Sequence, residues 1–417
     1  MFAFIARQPI LDRKKEVFAY ELLFRDGKSN CYPDTIHDKE TTKHIAKNYL
    51  TLSLDDISCN KKAFINFQSE TLMNGLPSSM NPENVVVELV DSNFSHDGLL
   101  SICKHVKNLG YKLALEDYRL DPKWKDCLPY VDVVKVNTVQ GNHENISKNV
   151  HRFLDANVKL VAEKVETQQD FTIYRDMGFD YFQGYFFARP ESVTQKEIPT
   201  SKLALVELMG ASSSESFNVD GINSVIEHDV GLSYMLLRFI NNPAINKRYK
   251  ITSLRHALNY MGEVEIKKFI ALLALTNLND NKPIELLHLS LVRAKFCDLI
   301  ATEKNIGNNP PQGFLVGLFS LLDALLDQDM KTLLEKLPLV DQVKYALCGG
   351  KNELSVYLLL VKAFESGNWL KVIRIAGVLD IDQKRLHSLF NEAIIWGNGV
   401  RKSISPHFPV VKTSLIR

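Results

Sequence analysis

Seven short apolar runs in the first half of this chain each carry, within or just past them, a polar side chain that can hold a cation or move a proton. These are Glu21, Asn66, Glu88, the pair Glu116-Asp117, Lys135, Glu163 and Gln183. All but Lys135 offer a carboxylate or amide oxygen. One carboxylate at the end of an apolar run is ordinarily a loop solvation group or a helix N-cap. A whole series is harder to explain that way, because crowded like charges repel unless something positive sits among them. Hard oxygen donors beside a single lysine favour Mg²⁺ or Mn²⁺, whereas Zn²⁺ would want His or Cys. Two such ions about 3.5–4 Å apart can activate a water and stabilise both oxygens of a phosphodiester displacement. Arg25, four residues past Glu21, would add a bidentate phosphate contact.

These residues sit on β-branched, apolar stretches at Phe18–Phe24, Ala63–Phe67, Val85–Val90, Lys112–Leu115, Val131–Val136, Lys159–Ala162 and Tyr181–Phe187. Amphipathic stretches separate them. Ser95 caps one whose Leu99, Ile102, Cys103, Val106 and Leu109 recur at helical spacing until Gly110. Thr167 opens another, which stops at Gly178. Strands alternating with helices predict a parallel sheet with helices outside. Seven or eight such units within residues 1–200 suit a closed, TIM-like β/α barrel, with an open doubly wound sheet as the alternative. In a barrel the C-terminal strand ends converge on one mouth, which would bring the polar residues together.

Beyond residue 201 the strand pattern stops. Leu-, Ile-, Ala-, Lys- and Glu-rich runs follow at Leu203–Met209, Ile222–Ile240, Ser253–Ala274, Ile284–Glu303, Phe314–Leu326, Met330–Leu337, Glu353–Ser366 and Gln383–Trp396. Breaks at Asn242-Pro243, Asn308–Pro311 and Gly349-Gly350 separate helices joined by short connections. The chain therefore divides into a β/α barrel over 1–200, an all-helical domain over 201–400 and a tail over 401–417. A length of 417 residues agrees with two cores.

Fifty Lys and Arg against 49 Asp and Glu give no electrostatic case for direct nucleic-acid binding. The six cysteines are scattered without a C-x-x-C pair, which reads as free buried thiols in a reducing compartment. The apolar start, Met1 to Ala6, is cut off by Arg7 and Pro9 before it can serve as a signal peptide, and no run is long enough to span a membrane. The reading is a cytoplasmic protein without a membrane partner.

Glu21-Leu22-Leu23-x-Arg25 resembles the signature of EAL-domain cyclic-di-GMP phosphodiesterases. Further motifs of that family follow in order: Ile65-Asn66-Phe67, Val87-Glu88-Leu89-Val90-Asp91, Leu115-Glu116-Asp117-Tyr118, Val134-Lys135-Val136-Asn137, Ala162-Glu163-Lys164-Val165-Glu166-Thr167 and Gln183-Gly184-Tyr185-Phe186-Phe187-Ala188-Arg189-Pro190. The resemblance implies that Glu21, Asn66, Glu88, Glu116 and Asp117 hold the Mg²⁺ or Mn²⁺ ions. It implies that Lys135 and Glu163 orient or deprotonate the water that opens cyclic-di-GMP to pGpG, with Glu21 essential to the reaction. Arg25 would face a phosphate, and Glu166 and Gln183 would line the same pocket. The usual settings of the family are motility and biofilm control.

The pattern is altered in three places. Glu116 stands where the family has the first, metal-bridging residue of an Asp-Asp pair, and a displacement of about 1 Å can cost roughly 10²-fold in rate. Tyr118-Arg119-Leu120-Asp121-Pro122 replaces a glycine-rich loop that helps organise the second metal and a dimer contact. Asp91 replaces the glutamate that anchors that loop, and Asn137 replaces an aspartate after the lysine. Two readings stay open: hydrolysis, favoured by Lys135 among the carboxylates, and a catalytically inactive cyclic-di-GMP sensor or adaptor.

In the second half, Ile226-Glu227-His228-Asp229-Val230-Gly231-Leu232, the run Leu236–Asn242, Ile251-Thr252-Ser253-Leu254 with Ala257-Leu258 and Met261-Gly262, and Phe314–Asp323 resemble the HDOD domain. That resemblance implies a regulatory module that engages a protein partner. His228-Asp229 lacks the further His and Asp ligands of a metal site and reads as surface or capping residues. The leucine-rich stripe Phe314–Leu326 reads as core.

Overall fold

The computed structural model describes residues 4–25, 54–67, 72, 80–89, 96–115, 126–139, 143–189, 226, 230–246, 250–278, 282–306 and 309–404. Among them, eight strands close a barrel in chain order. They are β1 (Phe4–Asp12), β2 (Val17–Arg25), β3 (Lys62–Phe67), β4 (Val85–Leu89), β5 (Lys112–Leu115), β6 (Val133–Asn137), β7 (Lys159–Glu163) and β8 (Tyr181–Gln183). From β2 to β8 each neighbour is parallel.

The expected all-parallel sheet needs one correction. β1 runs antiparallel to both β2 and β8, and it closes the barrel. A tight turn makes the hairpin: Asp12 Oδ1 accepts from the Lys14 and Glu16 amides, and Lys15 takes φ +64. Arg7 and Pro9 interrupt the apolar run of β1 in sequence. In the barrel they alternate with inward-facing positions, so neither breaks the interior.

Strand periodicity then sets two layers inside the barrel. Ile10, Ala19, Phe64, Val86, Ala114, Val133 and Val161 form an apolar layer, each at most 5% exposed. Burying each of the larger side chains contributes about 1.5–3 kcal/mol. A shift of two residues in the mouthward direction from each of these except Ala114 reaches Gln8, Glu21, Asn66, Glu88, Lys135 and Glu163. The same step from Tyr181, which packs against the apolar layer, reaches Gln183. The apolar layer is thus the floor on which the polar one stands.

Helices α1 (Leu54–Ser58), α2 (His96–Asn108), α3 (His143–Asp155) and α4 (Gln168–Asp176) lie between the strands in sequence. Thr167 caps α4 by accepting from the Asp170 amide, and the chain leaves at Gly178 with φ +103. α2 is followed by Gly110 at φ +86, the left-handed exit that glycine permits. Ser95 lies outside the described residues.

Among the described residues the remaining α-helices are α5 (Val230–Ile240), α6 (Leu254–Leu278), α7 (Ile284–Glu303), α8 (Gln312–Leu318), α9 (Leu322–Leu326), α10 (Met330–Glu335), α11 (Asp341–Leu347), α12 (Glu353–Glu365), α13 (Trp369–Leu379) and α14 (Gln383–Ile404). The stretch Phe314–Leu326 is not one helix, because a 3-10 turn at Phe319–Leu321 parts α8 from α9. Its apolar residues are core, with Phe314, Val316, Leu318, Phe319 and Leu322 at most 1% exposed. α6 is interrupted at Gly262, whose φ is +71. α14 runs to Ile404, past the residue-400 boundary read from the sequence. Leu203–Met209 and His228-Asp229 lie outside the described residues. Of the cysteines, Cys103, Cys127 and Cys297 are buried, but Cys348 is exposed.

Two compact units result. One joins Met1–Glu191 with Pro283–Glu285 and Lys362–His387; the other takes Ser192–Lys282, Leu286–Val361 and Ser388–Arg417. Among the described residues no helix is long and apolar enough to cross a membrane.

Candidate active site

Lys135 stands at the centre of the polar layer. Its Nζ lies 2.9 Å from Glu21 Oε2, 2.8 Å from Glu88 Oε1 and 2.8 Å from Glu163 Oε1. Neither Lys135 nor Glu88 is exposed at all, and Glu21 is only 4% exposed. β2, β4, β6 and β7 each supply one member, so the convergence follows from barrel closure and not from proximity in sequence.

Glu21 has the densest surroundings. Asn66 Nδ2 donates to its Oε1 at 3.4 Å, and Gln183 Nε2 donates to its Oε2 at 2.5 Å. Burial by itself would raise the Glu21 carboxyl pKa. The Lys135 ammonium and the hydrogen bonds from Gln183, Lys135 and Asn66 outweigh that and hold it below the ordinary glutamate value. Glu21 is therefore an ionised ligand-type oxygen pair inside a buried layer.

Gln183 Nε2 also donates to Gln8 Oε1 at 3.0 Å. Gln8 is a member of this layer that the motif pattern did not reveal. The signal was present as the two-residue alternation Ala6, Gln8, Ile10, but it becomes legible only once β1 is known to pair Gln8 with Glu21.

The chemistry of this donor set fits a divalent cation. Three glutamates against one lysine leave two formal negative charges in excess among the described residues. Such an excess is costly in a buried layer unless cations or protons offset it. Asn66 Oδ1 and Gln183 Oε1 are buried and accept no hydrogen bond among the described residues. Asn66 Oδ1 is a hard oxygen of the kind Mg²⁺ and Mn²⁺ take. The three described glutamates alone do not form a cation cage, since Lys135 sits between them.

The other candidates fall in different places. Glu116 and Asp117 lie outside the described residues, as do Asp91 and Tyr118–Pro122. Arg25 is the last residue of β2. Glu166 is not brought into the cluster: it is exposed and pairs with Arg189 at 3.0 Å. Asn137 Oδ1 accepts from the Val139 amide at 3.1 Å, so it shapes the turn leaving β6.

Family models for the EAL domain and the HDOD domain match residues 39–190 and 198–330. A protein of Vibrio cholerae serotype O1, cyclic di-GMP phosphodiesterase CdgJ, is 34% identical over 404 residues, covering 96% of this chain and 94% of that protein. The chain belongs to the EAL–HDOD family. The uncharacterized protein YuxH of Bacillus subtilis is 33% identical over 404 residues, 95% of this EAL–HDOD chain and 98% of YuxH. A solved EAL domain protein from Listeria monocytogenes EGD-e is 19% identical, covers 44% of this chain and 87% of its own, and has a TM-score of 0.31. At that score the likeness adds nothing to the assignment, which rests on the two family models and the two relatives. The EAL match begins after Glu21, yet the barrel closes only through β1 and β2, which precede it.

Proposed function

We propose that this EAL–HDOD protein is a metal-dependent phosphodiesterase that opens cyclic di-GMP to linear pGpG. The observation that carries the reading is Lys135 held between Glu21, Glu88 and Glu163 in the mouthward layer of the barrel. The activity named for the Vibrio cholerae relative, aligned along nearly the whole chain, supports it.

Glu21, Asn66 and Glu88, with Glu116 and Asp117, would hold Mg²⁺ or Mn²⁺. Bound there, such ions supply Lewis acidity and a water that ionises near neutral pH. The protein's own residues do the remaining work. Gln183 and Asn66 fix the Glu21 carboxylate by donating to both of its oxygens. Lys135 and Glu163 form a donor–acceptor pair that can orient the attacking water and take its proton. As the water oxygen joins phosphorus, one P–O ester bond breaks and its oxygen leaves with a proton. Arg25 would face a phosphate, while Glu166, outside the cluster, and Gln183 would line the bound dinucleotide.

Glu116 and the Tyr118–Pro122 segment favour a second reading, in which the barrel binds cyclic di-GMP without cleaving it. A turnover and binding assay on the wild type beside Glu116→Asp and Glu21→Ala decides between them. Hydrolysis requires pGpG from the wild type with Mg²⁺ or Mn²⁺, loss of it in Glu21→Ala, and a higher rate in Glu116→Asp if the site is built but detuned. Binding with no pGpG under either metal would leave the sensor. In both readings the helical part engages a protein partner, the protein acts in the cytoplasm, and motility and biofilm control are the processes to examine. A homodimer belongs to the same reading.

A further inference from the structure

We propose that Glu285, acting through Tyr20, is a positioning residue for Glu21; the proposal rests on the reading of Glu21 as part of a metal-dependent site. Tyr20 and Glu21 are consecutive on β2, so the pleat sends them to opposite faces. Glu21 enters the barrel, and Tyr20 points to its outside. There the Tyr20 hydroxyl donates to Glu285 Oε2 at 2.7 Å, with each residue 1% exposed. Glu285 belongs to the same compact unit as the barrel.

The Tyr20 ring is held as well as its hydroxyl. The Arg7 guanidinium lies 4.7 Å from the ring centroid, and Arg7 is itself fixed by donating to the Ile57 carbonyl and to Cys59 Sγ. Arg7 pairs with Leu22 across β1 and β2, so the outer cluster spans both strands of the hairpin. The inner face of that hairpin is pinned in parallel. Gln8 Nε2 donates to the Glu365 carbonyl at 3.2 Å, and Gly367 packs so closely on Leu23 that a Cβ there would lie 2.9 Å from its Cδ1.

The two faces together determine where Glu21 sits. β1 and β2 form the barrel's antiparallel hairpin, and the Cα atoms of Tyr20 and Glu21 are about 3.8 Å apart. Any slide of Tyr20 therefore passes almost undiminished to the Glu21 carboxylate, where about 1 Å can cost roughly 10²-fold in rate. A buried carboxylate accepting a tyrosine hydroxyl is a directional anchor, which apolar packing at the same place would not be.

The test uses the full chain with Tyr20→Phe, Glu285→Gln and Glu285→Ala. Three quantities are read: kcat and KM for cyclic di-GMP, Mn²⁺ affinity from the free-ion electron paramagnetic resonance signal, and melting temperature. Tyr20→Phe should lower kcat about tenfold with KM within about twofold, and weaken Mn²⁺ binding in the direction set by Glu21→Ala. Glu285→Gln, which still accepts the hydroxyl, should recover most of what Glu285→Ala loses. A folded Tyr20→Phe protein with unchanged kcat and Mn²⁺ affinity overturns the proposal, as does Glu285→Gln behaving like Glu285→Ala. If Glu285→Ala fails to fold, Tyr20→Phe decides alone. A wild type that makes no pGpG but loses Mn²⁺ affinity in Tyr20→Phe refutes the phosphodiesterase and keeps the positioning role. A wild type that binds no Mn²⁺ refutes both.

Discussion

Lys135 and Glu163 meet with Nζ and Oε1 2.8 Å apart, although the strand register pairs Glu163 with Asn137 and not with Lys135. The contact is thus made by side chains turned inward across the barrel. Removing the ammonium leaves three glutamates facing one another in a buried layer. Lys135→Met should abolish pGpG formation and lower unfolding stability by at least about 3 kcal/mol, since breaking a buried ion pair costs on that order. Denaturant unfolding beside a turnover assay checks both halves. A variant of wild-type stability would show that the three contacts carry no net weight.

Gln8 gives a milder prediction. Its Oε1 accepts from the same Gln183 amide nitrogen that holds Glu21 Oε2. Gln8→Leu keeps the volume near the mouth but takes away that acceptor, leaving one Gln183 N–H without it at a cost of about 1–3 kcal/mol. The expected result is a several-fold drop in kcat with the barrel intact by circular dichroism. Unchanged turnover would mean that Gln183 holds Glu21 without help.

Much of this site could be read from residue order because strand periodicity did the placing. Ala19 to Glu21, Phe64 to Asn66, Val86 to Glu88, Val133 to Lys135 and Val161 to Glu163 are all the same two-residue step from floor to site. What escaped depended on pairing between distant segments. β1 is masked in sequence by Arg7 and Pro9, and its direction is set by the Asp12–Glu16 turn and by β8. Glu166 sits in a motif beside Glu163, yet it falls beyond the end of β7 and turns to Arg189. The break between α8 and α9 had no Pro to announce it. α8 instead fits through Gly317, where a Cβ would meet the Arg293 carbonyl at 2.3 Å.

Gly184 follows Gln183 and tests how tightly the end of β8 is built. Its φ is +146, and a Cβ there would lie 2.1 Å from the Val165 carbonyl oxygen. Backbone atoms cannot yield as a flexible side chain does. Gly184→Ala should cost at least about 2 kcal/mol through strain and overpacking together. Because the Val165 amide donates to the Gln183 carbonyl, the displacement should reach Gln183 and lower turnover too. Urea unfolding and kcat should fall together; a stable, fully active Gly184→Ala would show that the segment relaxes freely.

His387 sets a pH dependence that is separate from the site. Burial pushes its imidazole from the ordinary 6.5 down to about 4. Above the ordinary value the imidazole is neutral whether the chain is folded or not, and the group adds no slope. As pH falls from there toward about 4, the unfolded chain takes up a proton that the folded chain refuses, so stability declines. Between about pH 7.5 and about pH 5 this should amount to about 2 kcal/mol. His387→Gln removes that titration, and its unfolding free energy should fall less than the wild type's over the same interval. Denaturant melts of both proteins at the two pH values measure the difference. Equal declines would mean that His387 takes up its proton in the folded chain as readily as in the unfolded one.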